Sequence, residues 1–200
     1  MRAKGIVIGR KKPALVAQAN PCYGASAQKP AARTLWRSRP ASFEGGSTVF
    51  LYFEDFAAGQ VFKTLGVTVT EESVIRFALE YDFQPFHVDR IAAKDSIFKG
   101  LVASGIHTLA LTFRLCNQAQ LFTGNAVAGL GLEDVRFLRP VYAGDTIRAV
   151  VTVADRRPSV THRNAGVVKW TIETLNQDDQ LVFKAKMANL IKRRPAASEK

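Results

Sequence analysis

The chain has 200 residues, 47% of them hydrophobic and 22% charged, close to the usage of globular proteins and unlike that of a disordered chain. That length suits one ordinary domain with a tail and leaves little room for two. No stretch approaches the roughly 20 consecutive apolar residues of a membrane-spanning helix, so no membrane partner is expected.

The net charge of +11 comes from 28 Lys and Arg against 17 Asp and Glu, a balance that by itself points to nucleic acid. Its distribution argues otherwise. Residues 1–48 carry nine bases and a single acid, Glu44, and residues 192–200 carry four bases and one acid. Residues 49–191 carry fifteen of each. The central region is neutral, so capture of a polyanion would fall to the two ends, and no nucleic-acid partner is expected. Cys22 and Cys116 form neither a disulfide framework nor a metal-ligand spacing, and His87, His107 and His162 stand outside any HxH, HxxxH or CxxC pattern. No protein-held metal is expected, and both thiols suit a reducing, cytoplasmic setting.

Residues 1–48 are acid-poor, rich in Ala, Pro, Arg and Ser, and lack both a sustained apolar period and the apolar block of a secretory signal. The composition fits an organellar transit segment or a disordered basic extension. A third reading is preferred. Glu44-Gly45-Gly46 is compatible with a purine-rich ribosome-binding run, which would place a start codon at Val49 or Leu51. The folded domain is therefore assigned to residues 49–192, between that extension and a basic tail at 193–200.

From Leu51 the pattern becomes periodic. A turn at Phe56–Gln60 leads into a β-branched run from Val61 to Val69, which predicts a strand. Thr70 followed by Glu71, Glu72 and Ser73 is a helix start, with a hydroxyl cap and acids where the helix dipole favours them. Val74, Phe77, Ala78 and Tyr81 continue it at helical spacing to about Tyr81. Pro85 forbids continuation and restricts Gln84 before it, so Asp82–Asp89 is expected to be a structured loop.

Leu101–Cys116 is almost continuously apolar, which predicts a helix buried on most sides. Ala126–Leu138 reads as a less regular strand ended by Pro140, and Tyr142–Asp145 as a turn. Strict alternation follows, at Ile147, Ala149, Val151 and Val153, then Val168, Trp170 and Ile172, then Leu181, Phe183, Ala185 and Met187, with Asn176–Asp179 as a hairpin turn. One apolar helix and several one-sided strands pack by wrapping an antiparallel sheet around the helix. The expected class is α+β.

The densest titratable cluster is Asp82-Phe83-Gln84-Pro85-Phe86-His87-Val88-Asp89. A carboxylate and an imidazole five residues apart across a proline-braced bend can face one point, as general acid–base catalysis requires. On residue types alone, Asp82 can equally end the helix and His87 can be a hydrogen-bonded, half-buried side chain. Asp89 reads as a brace or cap, His107 as a hydrogen-bonded core residue, and His162 as exposed. Cys116 reads as a small buried residue. Arg156, Arg157 and Arg163 surround a polar loop that reads as a solvated turn, with contact to a ligand's phosphates as the alternative.

Residues 81–89 resemble the D-x-N-P-x-H-x-D signature of the MaoC-like acyl-CoA hydratase/dehydratase family, with Gln84 replacing the usual Asn. Ala103-Ser104-Gly105-Ile106-His107-Thr108, Val135–Asp145 and Phe53-Glu54-Asp55-Phe56 with Gly59 extend the likeness over nearly all of 51–192. The resemblance implies a hot-dog fold, with the sheet wrapped around a helix beginning near Ala103 and domains paired edge to edge as a homodimer or dimer of dimers. It implies reversible hydration of a trans-2-enoyl-CoA, commonly giving the (R)-3-hydroxyacyl product, with Asp82 and His87 as the catalytic pair. Coenzyme A enters only as part of the acyl-CoA substrate, and no separate cofactor is implied. Gly105 matches the family's oxyanion glycine, and Ser104, where many hydratases have His, is grouped with it as substrate-binding. The amides that open this helix suit an oxyanion, because they lack helical partners and sit at the positive dipole end. The family Ser further along the helix has no clear equivalent near Thr112 and Phe113, which bears on acyl-chain preference. Two other functions remain open, an acyl-CoA thioesterase and a non-catalytic acyl-CoA-binding subunit. The intact Asp82/His87 pair argues against the latter.

Overall fold

The structure, a computed structural model, describes residues 50–195; the expectations for residues 1–48 lie outside them. The elements in chain order are β1 (Val61–Thr68), α1 (Glu71–Tyr81), α2 (Pro85–Val88), α3 (Arg90–Asp95), α4 (Gly105–Gln118), β2 (Ala126–Phe137), β3 (Thr146–Pro158), β4 (Ala165–Leu175) and β5 (Leu181–Lys192). The strands form one antiparallel sheet in the order β1-β3-β4-β5-β2. This is the α+β arrangement that the alternation predicts.

The inner face of the sheet is written in the alternating residues. Ile147, Ala149, Val151 and Val153 of β3 are fully buried, as are Val168, Trp170 and Ile172 of β4. Helix α4 lies against that face. Its Cys116 joins the cluster around Val151, Trp170 and Met187, and Leu111 and Leu115 pack with Ile147, Phe183 and Ala185. Trp170 is the largest side chain at this seam, meeting Phe56 and Phe122 edge-on at 5.0 and 5.3 Å between ring centroids. Such tilted contacts are the favoured geometry for aromatic quadrupoles.

Two expectations about α4 are corrected. It starts at Gly105, not near Leu101, because Ser104 is its N-cap and accepts from Ile106 N. The preceding residues are extended: Val102 bridges Tyr142, and Ala103 N donates to Val141 O at 2.8 Å. Apolar content alone could not separate a buried extended run from a helix. Nor is α4 buried on most sides. His107, Thr108, Leu111, Thr112, Leu115 and Cys116 form one buried stripe, while Ile106 on another face is 53% exposed.

Strand β2 is the irregular edge. Its pairing with β5 slips register three times, and nearly every residue is exposed, including Val127, Leu130 and Leu132. Bulges of this kind twist an edge away from flat pairing. Beside the start of β2, where Lys192 N donates to Asn125 O, the assigned tail is in part held by the body. Arg193 pairs with Glu54, and Arg194 pairs with Asp55 while stacking over Tyr52. These carboxylates lie on a 3-10 turn at Phe53–Asp55, whose Phe53 is buried in the core.

Candidate active site

Helix α1 delivers Asp82. Thr70 caps the helix by accepting from Ser73 N at 3.2 Å, a contact worth about 1 kcal/mol. Asp82 is the C-cap, where the backbone leaves helical geometry and the N–H donates to Ala78 O. Gln84 is extended, as a residue before proline must be, and Pro85 opens α2, a four-residue helix. The expected loop therefore contains a helical turn, because proline at the first helical position loses no needed donor. That turn aims His87 back toward Asp82. Asp89 then caps α3, accepting from Ile91 N at 2.7 Å and Ala92 N at 3.2 Å.

His87 is buried against Phe86, whose ring meets it edge-on at 4.6 Å. Its Nδ1 stands 2.6 Å from Val102 O. A carbonyl only accepts, so Nδ1 carries the proton and Nε2 of the neutral ring is left as an acceptor. Nε2 faces Asp82 Oδ2 at 3.6 Å. Asp82 Oδ2 also accepts from Ser104 Oγ at 2.6 Å. The structure thus brings Asp82, His87 and Ser104 together. This spacing leaves room for one water that hydrogen-bonds to both side chains.

Gly105, the first residue of α4, completes the group. Its N–H has no partner among the described residues, so it remains a free donor at the positive end of the helix. A Cβ here would stand 3.0 Å from the Phe137 ring, so a larger residue would require the ring or the helix start to shift. Ser104 itself is fully buried, and its hydroxyl is taken up by Asp82 and Ile106 N. The N-cap position turns the side chain inward over the helix end.

The other sequence candidates are distributed elsewhere. His107 is buried, but instead of the expected hydrogen bonds its ring stacks on Phe77 at 4.6 Å, and its Nδ1 has no partner among the described residues. Burial, reinforced by the nearby charges of Arg114 and Arg76, lowers its pKa to about 4. Cys116 is enclosed, and burial pushes its thiol up to about 12, which leaves no thiolate for nucleophilic work. Arg156 lies over the Phe53 ring at 5.1 Å and donates to Phe53 O. Arg157 and His162 border a cavity of about 280 Å³ with Leu130, Val160, Val167 and Leu190. Among the described residues no group of three His, Cys, Asp or Glu could hold a metal.

Sequence reasoning missed two participants. The Val102 carbonyl orients His87 through backbone, which no residue type advertises. Phe137 covers Gly105 from β2, a contact that only the register of the edge strand creates.

Comparison with known proteins converges on these segments. The family model described as a MaoC like domain matches residues 55–174. YdeM of Bacillus subtilis (strain 168) is 36% identical over 140 residues, 70% of this chain and 98% of YdeM. The (R)-specific enoyl-CoA hydratase of Rhodospirillum rubrum is 31% identical over 113 residues, 54% of this chain and 72% of the hydratase. Among solved structures, a MaoC-like dehydratase from Rhodospirillum rubrum aligns with a TM-score of 0.68 at 35% identity, covering 73% of this chain and 99% of that one. The sheet laid around α4 is the hot-dog fold.

Proposed function

The chain belongs to the MaoC-like domain family, and on that premise we infer that it catalyses reversible hydration of a trans-2-enoyl-CoA to the (R)-3-hydroxyacyl-CoA. The carrying observation is the approach of two acceptors, Asp82 Oδ2 and His87 Nε2, to 3.6 Å. A water donating to both presents its oxygen to C3 of the enoyl thioester. As the C–O bond forms, one water proton passes to the pair and the same pair returns a proton to C2, so the reaction closes without a cofactor. Negative charge then develops on the thioester oxygen, where the free Gly105 amide and the dipole of α4 suit it. The R assignment follows the name of the Rhodospirillum rubrum hydratase.

The same reading makes the protein a cytoplasmic homodimer. Among the described residues no strand covers the outer side of β2, which exposes Val127, Leu130 and Leu132, as an edge that meets a second copy would. Among the described residues no helix is long and apolar enough to cross a membrane.

The test is an assay with crotonyl-CoA and longer trans-2-enoyl-CoA substrates. Loss of the enoyl thioester absorbance without release of free thiol is expected, with the reverse reaction from (R)-3-hydroxyacyl-CoA. Thiol release would instead establish a thioesterase. Tight acyl-CoA binding without turnover would establish a binding subunit.

A further inference from the structure

We propose that Ser104 is a positioning residue, whose hydroxyl ties the Asp82 carboxylate to the start of α4 and so holds the base and the oxyanion donor in one fixed relation. The inference rests on the hydration reading and extends it to a residue that never touches substrate. A serine hydroxyl has one proton to give and lone pairs to receive. Here Ile106 N–H donates to Ser104 Oγ at 3.1 Å, and Ser104 Oγ donates to Asp82 Oδ2 at 2.6 Å. The chain runs one way only, since a backbone amide cannot accept. Each bond in such a series polarises the next, so the positive end of α4 is passed through the hydroxyl to the carboxylate.

The connection also has a mechanical side. Asp82 follows the last residue of α1 and sits partly exposed, with no other hydrogen bond to its side chain given by the described residues. Ser104, by contrast, is fully buried, and its carbonyl accepts from Thr108 N at 3.0 Å. A rigid helix start therefore anchors a carboxylate that would otherwise swing toward solvent. The next residue, Gly105, supplies the free amide. One side chain sets the spacing between the two halves of the chemistry.

The substitution that isolates this role is Ser104→Gly. Glycine is nearly as good an N-cap as serine, so the helix start survives while the carboxylate loses its anchor. In the full-length protein, Ser104→Gly is expected to lower kcat by about 10- to 100-fold, the range for a lost hydrogen bond to a charged group, with KM within about threefold. Ser104→Thr keeps the hydroxyl and restores most of the rate. In an Asp82→Asn background Ser104→Gly is expected to add little, because both changes act through one carboxylate. A rise in KM at constant kcat, or a full additional loss in the Asp82→Asn background, overturns the proposal. Crystal structures of the wild type and Ser104→Gly give a readout that needs no activity. The Asp82 carboxylate is expected to turn away in the variant, and an unmoved carboxylate overturns the proposal even if hydration itself proves to be the wrong reaction.

Discussion

His87 Nε2 and Asp82 Oδ2 stand 3.6 Å apart, too far for a strong direct bond and close enough for a single water to touch both. The separation is held from both sides. Val102 O fixes the imidazole at Nδ1, and Ser104 Oγ fixes the carboxylate. On the proposed hydration mechanism, removing either acceptor would leave the attacking water with one guide. Asp82→Asn and His87→Ala are each expected to lower kcat by about 100- to 10,000-fold, the usual contribution of general acid–base groups. The double variant should lose far less than the product of the two, since the groups act on one molecule. Steady-state hydration kinetics on the three variants check this.

Gly105 gives a second prediction. In Gly105→Ala the new methyl meets the Phe137 ring at 3.0 Å, so the ring or the helix start must shift. Overpacking of this kind costs about 1–3 kcal/mol, and displacement of the amide threatens up to about 1000-fold in rate. Phe137 is half exposed and can yield. In a Phe137→Ala background the stability cost of Gly105→Ala is therefore expected to shrink. Denaturant unfolding of the four-member cycle measures the difference.

The outer edge of β2 carries a third. Leu130 and Leu132 are 53% and 40% exposed on a strand at the edge of the sheet. Replacing both by Lys places like charges opposite each other when two such edges meet across a twofold axis. Leu130→Lys/Leu132→Lys is expected to sediment as a monomer at concentrations where the wild type sediments as a dimer. Its far-UV circular dichroism should be unchanged, since neither side chain lies in the core.

A fourth concerns acid stability. The Glu54 carboxyl is held below its ordinary value of 4.5, first by the Arg194 backbone N–H and then, against the opposing effect of burial, by the Arg193 side chain. A depressed folded-state value means the stabilisation is complete above the unfolded value and is lost as pH falls through the folded one. Glu54→Gln should therefore lower stability at neutral pH, by no more than about 1 kcal/mol for so exposed a pair. The gap from wild type should close well below pH 4.5. Thermal unfolding across that range, at low and high salt, checks both sign and screening.

What could be read from the chain follows the range of the forces that fix each part. The inner faces of β3 and β4 are local patterns of period two, and Ile147–Val153 and Val168–Ile172 point where the alternation says. The caps at Thr70 and the break at Pro85 are local as well. The start of α4 was not legible, because Leu101–Ala103 is apolar for a reason outside its own stretch: it is zipped to Val141, Tyr142 and Ala143. The same limit applies to the site. Asp82 and His87 stand out as residue types, whereas the Val102 carbonyl is chemically anonymous. Ser104 was visible, but its inward turn depends on where the helix begins.

The hairpin joining β3 to β4, residues 159–164, lies at the far end of a 13-residue strand from the turn that borders Val102. At about 3.3 Å per residue the two ends of β3 are roughly 40 Å apart. Val160, Thr161, His162 and Arg163 are exposed there. An affinity tag, a fluorophore or a surface tether inserted at this tip would sit remote from Asp82 and His87 within the same protomer. The molecule thus offers a handle for immobilisation at one end and keeps the candidate site at the other.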